Sequence, residues 1–359
     1  MNPSIYIIAE AGVNHNGELD LAKRLVDVAV EARADAVKFQ TFTAEKLATA
    51  KAGMAAYQKR NTGKEESQLA MLKRLELSRE NHFFLADYCR DKGITFLSSP
   101  FDMDSLDFLL NEMKLPFMKV PSGELTNGPY LLTIARSGSK AVVSTGMAEM
   151  DEIAQALDVL AWGYLGRSEP ASFAQMQGIA QSAEGLDILR EKVILLHCTT
   201  EYPAAYDSIN LRAMKTLKEH FGLPVGLSDH SEGIAVPIAG AALGALLIEK
   251  HITLDKSLPG PDHKASLDPA ELTAMVAGVR AVEQALGTAD KRPSEIELQT
   301  RLIARKSLVA KRAITTGTVL TPDDLEAKRP GSGASPMFYW ELLGKRATRD
   351  YQEGDEISL

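Results

Sequence analysis

Two histidines that end apolar runs are the residues whose type and spacing point most directly to chemistry. His230 ends the run Pro-Val-Gly-Leu-Ser-Asp-His, and His251 ends Ala-Leu-Leu-Ile-Glu-Lys-His. The apolar helical stretch 234–244 between them has the length of a βα crossover, which would bring both imidazoles to the same end of adjacent parallel strands. Neutral imidazole binds divalent metals, and parallel sheets bind ligands at the carboxyl ends of their strands. The spacing therefore predicts a metal site at His230 and His251.

Two lysines lie inside predicted strands, where a charge is costly. Lys38 is in Ala-Val-Lys-Phe-Gln and Lys119 is in Phe-Met-Lys-Val-Pro. A buried ammonium group without an anion is unfavourable, so a lysine inside a strand indicates an anion nearby. A polar residue in a solvated loop carries no such implication. Hydroxyl side chains follow several of the strands, and together with the lysines they indicate a clamp for phosphate or carboxylate. These hydroxyls belong to Ser98, Ser99, Ser122, Ser144, Thr145 and Ser228.

Eight short apolar runs alternate with amphipathic helical segments, which indicates an α/β fold with parallel strands. Eight βα units in about 285 residues match a (β/α)8 TIM barrel. An open doubly wound sheet is the second choice, because no glycine-rich phosphate loop follows the first strand. The predicted strands are 5–9, 36–40, 94–98, 117–121, 141–144, 193–197, 225–228 and 246–251.

Composition limits the partners and the compartment. The chain has 359 residues and a formal charge of −8, which argues against nucleic acid and anionic membranes as partners. The two cysteines, Cys89 and Cys198, cannot form a disulfide framework and suit a reducing compartment. We find neither a targeting segment nor an apolar run of about 18 residues that could span a membrane. We therefore predict a cytoplasmic protein.

The sequence pattern changes after the barrel. We predict a catalytic barrel over 1–287, a polar linker over 288–304, and a small β-rich domain over 305–359. The last region contains short β-prone runs and is small enough to be marginally stable alone.

Eight motifs, in order along nearly the whole chain, resemble those of the bacterial sialic acid synthases. The resemblance is to the group that forms N-acetylneuraminate and N,N′-diacetyllegionaminate. The motifs are Ile-Ala-Glu-Ala-Gly-Val-Asn-His-Asn-Gly at 8–17, Val-Lys-Phe-Gln-Thr at 37–41, Lys-Val-Pro-Ser-Gly-Glu at 119–124, Ser-Thr-Gly-Met at 144–147, Gly-Leu-Ser-Asp-His at 226–230, Glu-Lys-His at 249–251, Pro-Gly-Pro-Asp-His-Lys-Ala-Ser-Leu at 259–267 and Lys-Arg-Pro-Gly-Ser-Gly at 328–333.

This resemblance implies a reaction and a set of residue roles. The family condenses phosphoenolpyruvate with an open-chain N-acetylated mannosamine-type sugar, releases phosphate, and requires Mn²⁺ or Mg²⁺. The implied metal ligands are His230 and His251, which also count as catalytic. Glu10 is our candidate for proton handling and Glu124 for guiding water, and these two roles could be exchanged. The implied phosphoenolpyruvate contacts are Lys38, Ser99, Lys119, Ser122, Ser144 and Ser228, and the sugar contacts are Glu10, Gln40, Thr200, Tyr202, Glu249, Asp262 and Arg329.

The resemblance extends to the C-terminal region and to assembly. The β-rich region is similar to the antifreeze-like (SAF) domain of these synthases. It implies a domain-swapped homodimer in which Arg329 reaches the partner's barrel. At 200, where N-acetylneuraminate-forming members tend to carry Asn, this chain has Thr200. That departure favours a 2,4-diacetamido-2,4,6-trideoxymannose acceptor over N-acetylmannosamine.

Three other functions remain open at this stage. One is another metal-dependent condensation of phosphoenolpyruvate with an aldose, as in 3-deoxy-heptulosonate synthases. That acceptor is phosphorylated and would need a second anion clamp. The second is a carbohydrate- or ice-binding protein, and the third is an isomerase or aldolase that uses Lys119 as a Schiff base.

Overall fold

The computed structural model describes residues 4–49, 52–62 and 66–358. The chain divides into two compact units, 1–287 and 288–359. Each unit is described separately below.

The first unit is built around one sheet of eight parallel strands with the order β3-β2-β1-β8-β7-β6-β5-β4. The first and last strands pair, so the sheet curls round, and β3 and β4 lie side by side. Within the described ranges those two strands share no hydrogen-bonded ladder. The predicted barrel is confirmed. Its strands are β1 (Tyr6–Gly12), β2 (Ala36–Thr41), β3 (Thr95–Pro100), β4 (Phe117–Val120), β5 (Lys140–Ser144), β6 (Val193–Cys198), β7 (Val225–Asp229) and β8 (Leu247–His251).

Helices connect the strands, and side-chain caps begin several of them. The Ser78 hydroxyl accepts a hydrogen bond from the backbone of Asn81, and Asp268 forms a capping box with Glu271. The helices are α1 (Leu19–Glu31), α2 (Ala44–Leu47), α3 (Ala56–Thr62), α4 (Gln68–Lys73), α5 (Arg79–Lys92), α6 (Met103–Asp107), α7 (Gly128–Ser137), α8 (Met150–Tyr164), α9 (Ala183–Lys192), α10 (Tyr206–Ile209), α11 (Ala213–Phe221), α12 (Ala235–Ala242) and α13 (Pro269–Leu286).

Strand register brings the polar side chains together at one end of the barrel. On β1, Glu10 lies opposite Lys38 of β2 and opposite His251 of β8. On the other side of β8, Glu249 lies opposite Ser228 of β7. Because side chains alternate along a strand, these residues face the barrel interior while their neighbours pack under the helices.

The second unit is small and β-rich. Strands β9 (Ser307–Ala310) and β10 (Leu325–Lys328) pair antiparallel, and α15 spans Tyr339–Leu342. Its core consists of Leu308, Ala310, Ile314, Leu320, Leu325, Leu342, Ala347, Tyr351 and Ile357. Part of the segment predicted as a linker is helical. Helix α14 (Glu295–Ala304) lies in it and begins at a capping box of Ser294 and Glu297.

Across the described chain, no helix is both long and apolar enough to cross a lipid bilayer.

Candidate active site

A cavity of 390 Å³ opens at the carboxyl end of the barrel strands. All but two of the site residues expected from the sequence line it. They come from all eight strands or the loops after them, which is the usual placement of a barrel active site. The expected residues in the lining are Glu10, Lys38, Gln40, Ser99, Lys119, Ser122, Ser144, Thr200, Tyr202, Ser228, His230, Glu249, His251 and Asp262.

The two lysines lie deep in this cavity and alternate with carboxylates. Lys38 Nζ lies 2.8 Å from Ser99 Oγ and 2.8 Å from Glu10 Oε2. Lys119 Nζ donates to Ser144 Oγ at 2.8 Å. Glu249 lies between the two lysines and forms an ion pair with each. Its Oε1 lies 3.4 Å from Lys119 Nζ, and its Oε2 lies 3.6 Å from Lys38 Nζ.

Burial and neighbouring charges move the pKa values of these groups apart. Burial raises the pKa of Glu10 to about 7, with Lys38 opposing the rise and Glu249 adding to it. Burial would raise the pKa of Glu249 as well, but Lys119 and Lys38 overcome it and lower that pKa to about 2. Burial lowers the pKa of Lys119, whereas the carboxylates outweigh burial at Lys38 and raise its pKa. Glu249 therefore carries the negative charge between the lysines, and Glu10 is the carboxyl that can gain or lose a proton near neutral pH.

The two histidines face one another beside this charged cluster, with ring centroids 5.4 Å apart. His230 Nδ1 lies 2.7 Å from the carbonyl of Thr199, so this nitrogen carries the proton and Nε2 keeps its lone pair. Burial lowers the pKa of His230 to about 4 and holds the pKa of His251 well below its ordinary value, which keeps both rings neutral. Buried His251 Nδ1 has no hydrogen-bond partner in the described part of the chain, and it lies 3.9 Å from Asp262 Oδ2.

A second group of residues forms the wall beside the histidines. The Tyr202 ring packs on the His230 ring with centroids 4.2 Å apart. Burial raises the pKa of Asp262 to about 7. Gln40 Nε2 approaches Glu10 Oε1 at 3.4 Å. The buried hydroxyl of Thr200 has no hydrogen-bond partner within the described residues, so it is available to a ligand.

Ser122 and Gly146 form a tight corner of the cavity. Ser122 Oγ accepts from Gly146 N at 3.1 Å and lies 3.1 Å from Cys198 Sγ. A Cβ at Gly146 would come within 2.3 Å of Thr200 Oγ1 and 2.8 Å of Cys198 Sγ. No larger residue fits here without displacing the wall of the cavity.

Two expected site residues do not lie in the cavity. Glu124 lies on a 3-10 turn, Ser122–Glu124, next to Ser122 of the lining, and its carboxylate accepts a hydrogen bond from Asn127 Nδ2 at 2.6 Å. The role of Glu124 in guiding water stays a prediction. Arg329 belongs to the second unit, where it is exposed.

The sequence reasoning missed the part of the lining that comes from α3 and α4, between β2 and β3. Tyr57, Gln58, Gln68 and Met71 line the cavity. Their helices are only seven and six residues long and carry no repeated motif. The available signal was the long segment between β2 and α5, since long loops at this end of a barrel are commonly functional.

Family models and known proteins match nearly the whole chain. The NeuB family model matches residues 25–291, and the SAF domain model matches residues 305–358. The N,N′-diacetyllegionaminic acid synthase of Campylobacter jejuni is 46% identical over 98% of both chains. The synthase of the same name from Legionella pneumophila is 43% identical over 98% of this chain and 93% of its own. The crystal structure of the N-acetylneuraminic acid synthetase of Leptospira borgpetersenii, in complex with citrate, has 31% identity and a TM-score of 0.66, covering 83% of this chain and 90% of its own.

The barrel and its charged cavity define an enzyme of the condensing synthase class. The chain belongs to the NeuB family and carries the SAF domain. The expected family, fold and enzyme class are confirmed.

Proposed function

We propose that this protein condenses phosphoenolpyruvate with 2,4-diacetamido-2,4,6-trideoxymannose, forming N,N′-diacetyllegionaminate and phosphate. The observation that carries the proposal is the pair of buried lysines, Lys38 and Lys119, beside two neutral histidines in one cavity. The choice of sugar rests on the two legionaminic acid synthases that are similar over nearly the whole chain. It rests also on the Thr200 hydroxyl, which bonds to no residue in the described ranges.

The lysines and serines would hold the phosphate and carboxylate of phosphoenolpyruvate. Lys38 and Lys119 already hold hydroxyl partners, Ser99 and Ser144, in place within 2.8 Å. Because Glu249 neutralises only part of their charge, an incoming anion finds donors that are oriented before it binds.

His230 and His251 would hold a divalent cation, Mn²⁺ or Mg²⁺. The donor set fits, because both rings are neutral, His230 has its proton fixed on Nδ1 by a carbonyl, and their centroids lie 5.4 Å apart. Among the described residues, no three His, Cys, Asp or Glu side chains form a closed metal cluster. An open site suits a cation that also contacts substrate, and when bound it would polarise the sugar aldehyde.

Glu10 would manage the proton of the new hydroxyl. In the reaction, C3 of phosphoenolpyruvate bonds to the aldehyde carbon of the sugar, water adds at C2, and the C2–O bond to phosphate breaks. With a pKa of about 7, Glu10 can give a proton to the aldehyde oxygen as it becomes a hydroxyl. A domain-swapped homodimer with Arg329 acting on the partner's sugar, and a cytoplasmic location, remain predictions.

A substrate panel tests this function. The purified protein is incubated with phosphoenolpyruvate, Mn²⁺ and one acceptor at a time, and phosphate release is measured. We expect the highest kcat/KM with 2,4-diacetamido-2,4,6-trideoxymannose, a lower value with N-acetylmannosamine, and none with erythrose 4-phosphate. Thr200→Asn should shift the preference toward N-acetylmannosamine, since it restores an amide.

The alternatives have distinct outcomes in the same panel. A higher kcat/KM with N-acetylmannosamine would overturn the choice of sugar. Turnover restricted to erythrose 4-phosphate would indicate a 3-deoxy-heptulosonate-type synthase. Full activity after treatment with a chelator would overturn the role of the cation. Covalent trapping of substrate on Lys119 by borohydride would indicate a Schiff-base enzyme.

A further inference from the structure

The helix α3 (Ala56–Thr62) is not part of the barrel sheet, but it contacts the wall of the cavity. It lies in the segment between β2 and β3, yet its partners follow β6 and β8. The helix is too short to be stable by itself, so tertiary contacts must hold it in place.

Asn61 makes the most specific of these contacts. Its Nδ2 donates to the carbonyl of Tyr202 at 3.0 Å and to the carbonyl of Pro261 at 2.7 Å. Both hydrogens of one amide nitrogen are used, and each goes to a different loop. One loop carries Tyr202, which packs on His230, and the other carries Asp262, which lies next to Pro261.

Two further residues of α3 contact the same stretch after β6. The Tyr57 ring packs against the Tyr202 ring with centroids 5.0 Å apart. Arg60 pairs with Glu201 at 2.8 Å. Residues 57, 60 and 61 lie on one helical face because of their i, i+3, i+4 spacing. The exposed Arg60 pair adds little by itself, whereas the Asn61 bonds and the ring contact are partly buried.

We propose that α3 is a clamp and that Asn61 is a positioning residue for the sugar-binding wall. By joining the loops after β6 and β8, Asn61 sets the separation of Tyr202 and Asp262. The lysines that face the anion lie on β2 and β4, so the clamp acts on the sugar and leaves phosphoenolpyruvate binding unaffected. This assignment of substrates rests on the proposed function, but the clamp itself does not.

The variant Asn61→Asp tests the clamp at constant size. It places a second oxygen against two carbonyl oxygens, which turns both hydrogen bonds into repulsions. Asn111→Asp is the matched control, because it adds the same charge at an exposed side chain. Asn111 lies before β4, in the segment that leads into the amino end of that strand. Hydrogen exchange is measured in peptides 199–205 and 257–265, alongside KM for both substrates.

We expect Asn61→Asp to speed exchange in both peptides and to raise the sugar KM about tenfold, with the KM for phosphoenolpyruvate within twofold of the wild-type value. The Asn111→Asp control should change none of these. A general loss of structure would raise exchange throughout the barrel and move both KM values together, which would overturn the proposal. Unchanged exchange in either peptide would overturn it as well.

A second variant and hydrogen exchange cover the cases in which Asn61→Asp does not fold or the wild-type protein turns over no amino sugar. If Asn61→Asp does not fold, Asn61→Ala removes both bonds without adding a repulsive oxygen and is judged by the same criteria. If the wild-type protein turns over no amino sugar, the proposed function fails, and hydrogen exchange alone decides whether Asn61 holds the two loops.

Discussion

Lys119 on β4 and Glu249 on β8 face one another across the barrel mouth, with Nζ 3.4 Å from Oε1. Glu249 also lies 3.6 Å from Lys38. Glu10, with a pKa of about 7, is the second carboxyl beside Lys38. When Glu10 is protonated, Glu249 alone balances the two ammonium groups, and the cavity keeps an excess of positive charge for an anionic substrate. This occurs in a chain whose formal charge is −8.

Replacing Glu249 should destabilise the free protein more than the bound one. Glu249→Gln leaves two buried lysines without their shared counter-charge, and breaking a buried ion pair costs about 3–5 kcal/mol of unfolding free energy. Phosphoenolpyruvate supplies negative charge and should recover part of that loss. Thermal unfolding with and without phosphoenolpyruvate measures the difference. The exposed Asp104, which pairs with Lys46, offers Asp104→Asn as a control with little effect.

Removing Lys119 should weaken phosphoenolpyruvate binding specifically. Lys119→Met deletes a charge-assisted contact worth about 1.5–3 kcal/mol, so we expect the KM for phosphoenolpyruvate to rise about 10- to 150-fold. The sugar KM should stay near its wild-type value. Steady-state kinetics with each substrate varied in turn provide the measurement. An equal rise in both KM values would contradict the assignment of Lys119 to the anion.

The histidines should account for cation binding. His251→Ala removes one of two neutral imidazoles, and we expect the affinity for Mn²⁺, measured by calorimetry on chelator-treated protein, to fall by at least about tenfold. His220→Ala is the control, because His220 is exposed on α11. Tight Mn²⁺ binding by His251→Ala would place the cation elsewhere.

The corner at Gly146 should not tolerate a methyl group. A Cβ there would meet Thr200, Cys198 and Ser122 below normal contact distance, so Gly146→Ala should lower the free energy of unfolding by about 1–3 kcal/mol and raise the KM for phosphoenolpyruvate. Gly128→Ala is the matched control, since among the described residues a methyl group at Gly128 would meet nothing within 4 Å beyond its chain neighbours and its own helix. Chemical denaturation measures both, and equal stabilities would show that the corner can relax.

Acid should destabilise the barrel partly through His82. This buried ring contacts Thr41 Oγ1 at 2.7 Å and the Ser78 carbonyl at 2.8 Å. Burial lowers its pKa from 6.5 to about 4, so the unfolded chain binds the proton more readily than the folded protein. The stability contributed by neutral His82 is present above pH 6.5 and is lost as the pH falls through 4, up to about 3 kcal/mol. His82→Gln should flatten the dependence of unfolding free energy on pH in that window. An unchanged slope would count against it.

The sequence was sufficient to predict the site residues that lie on the barrel strands. Because side chains alternate along a strand and parallel strands end together, Lys38, Glu249 and His251 could be assigned to one end of the barrel from their positions alone. The caps at Ser78 and Asp268 are also local signals of where helices begin, since a cap acts on backbone groups three residues away.

Only the tertiary structure decided which loops close over the site. Asn61 bonds carbonyls 141 and 200 residues further along the chain, and no local pattern specifies such partners. Strand periodicity is a property of neighbouring residues, whereas the closing of loops depends on contacts that exist only after the barrel brings distant segments together.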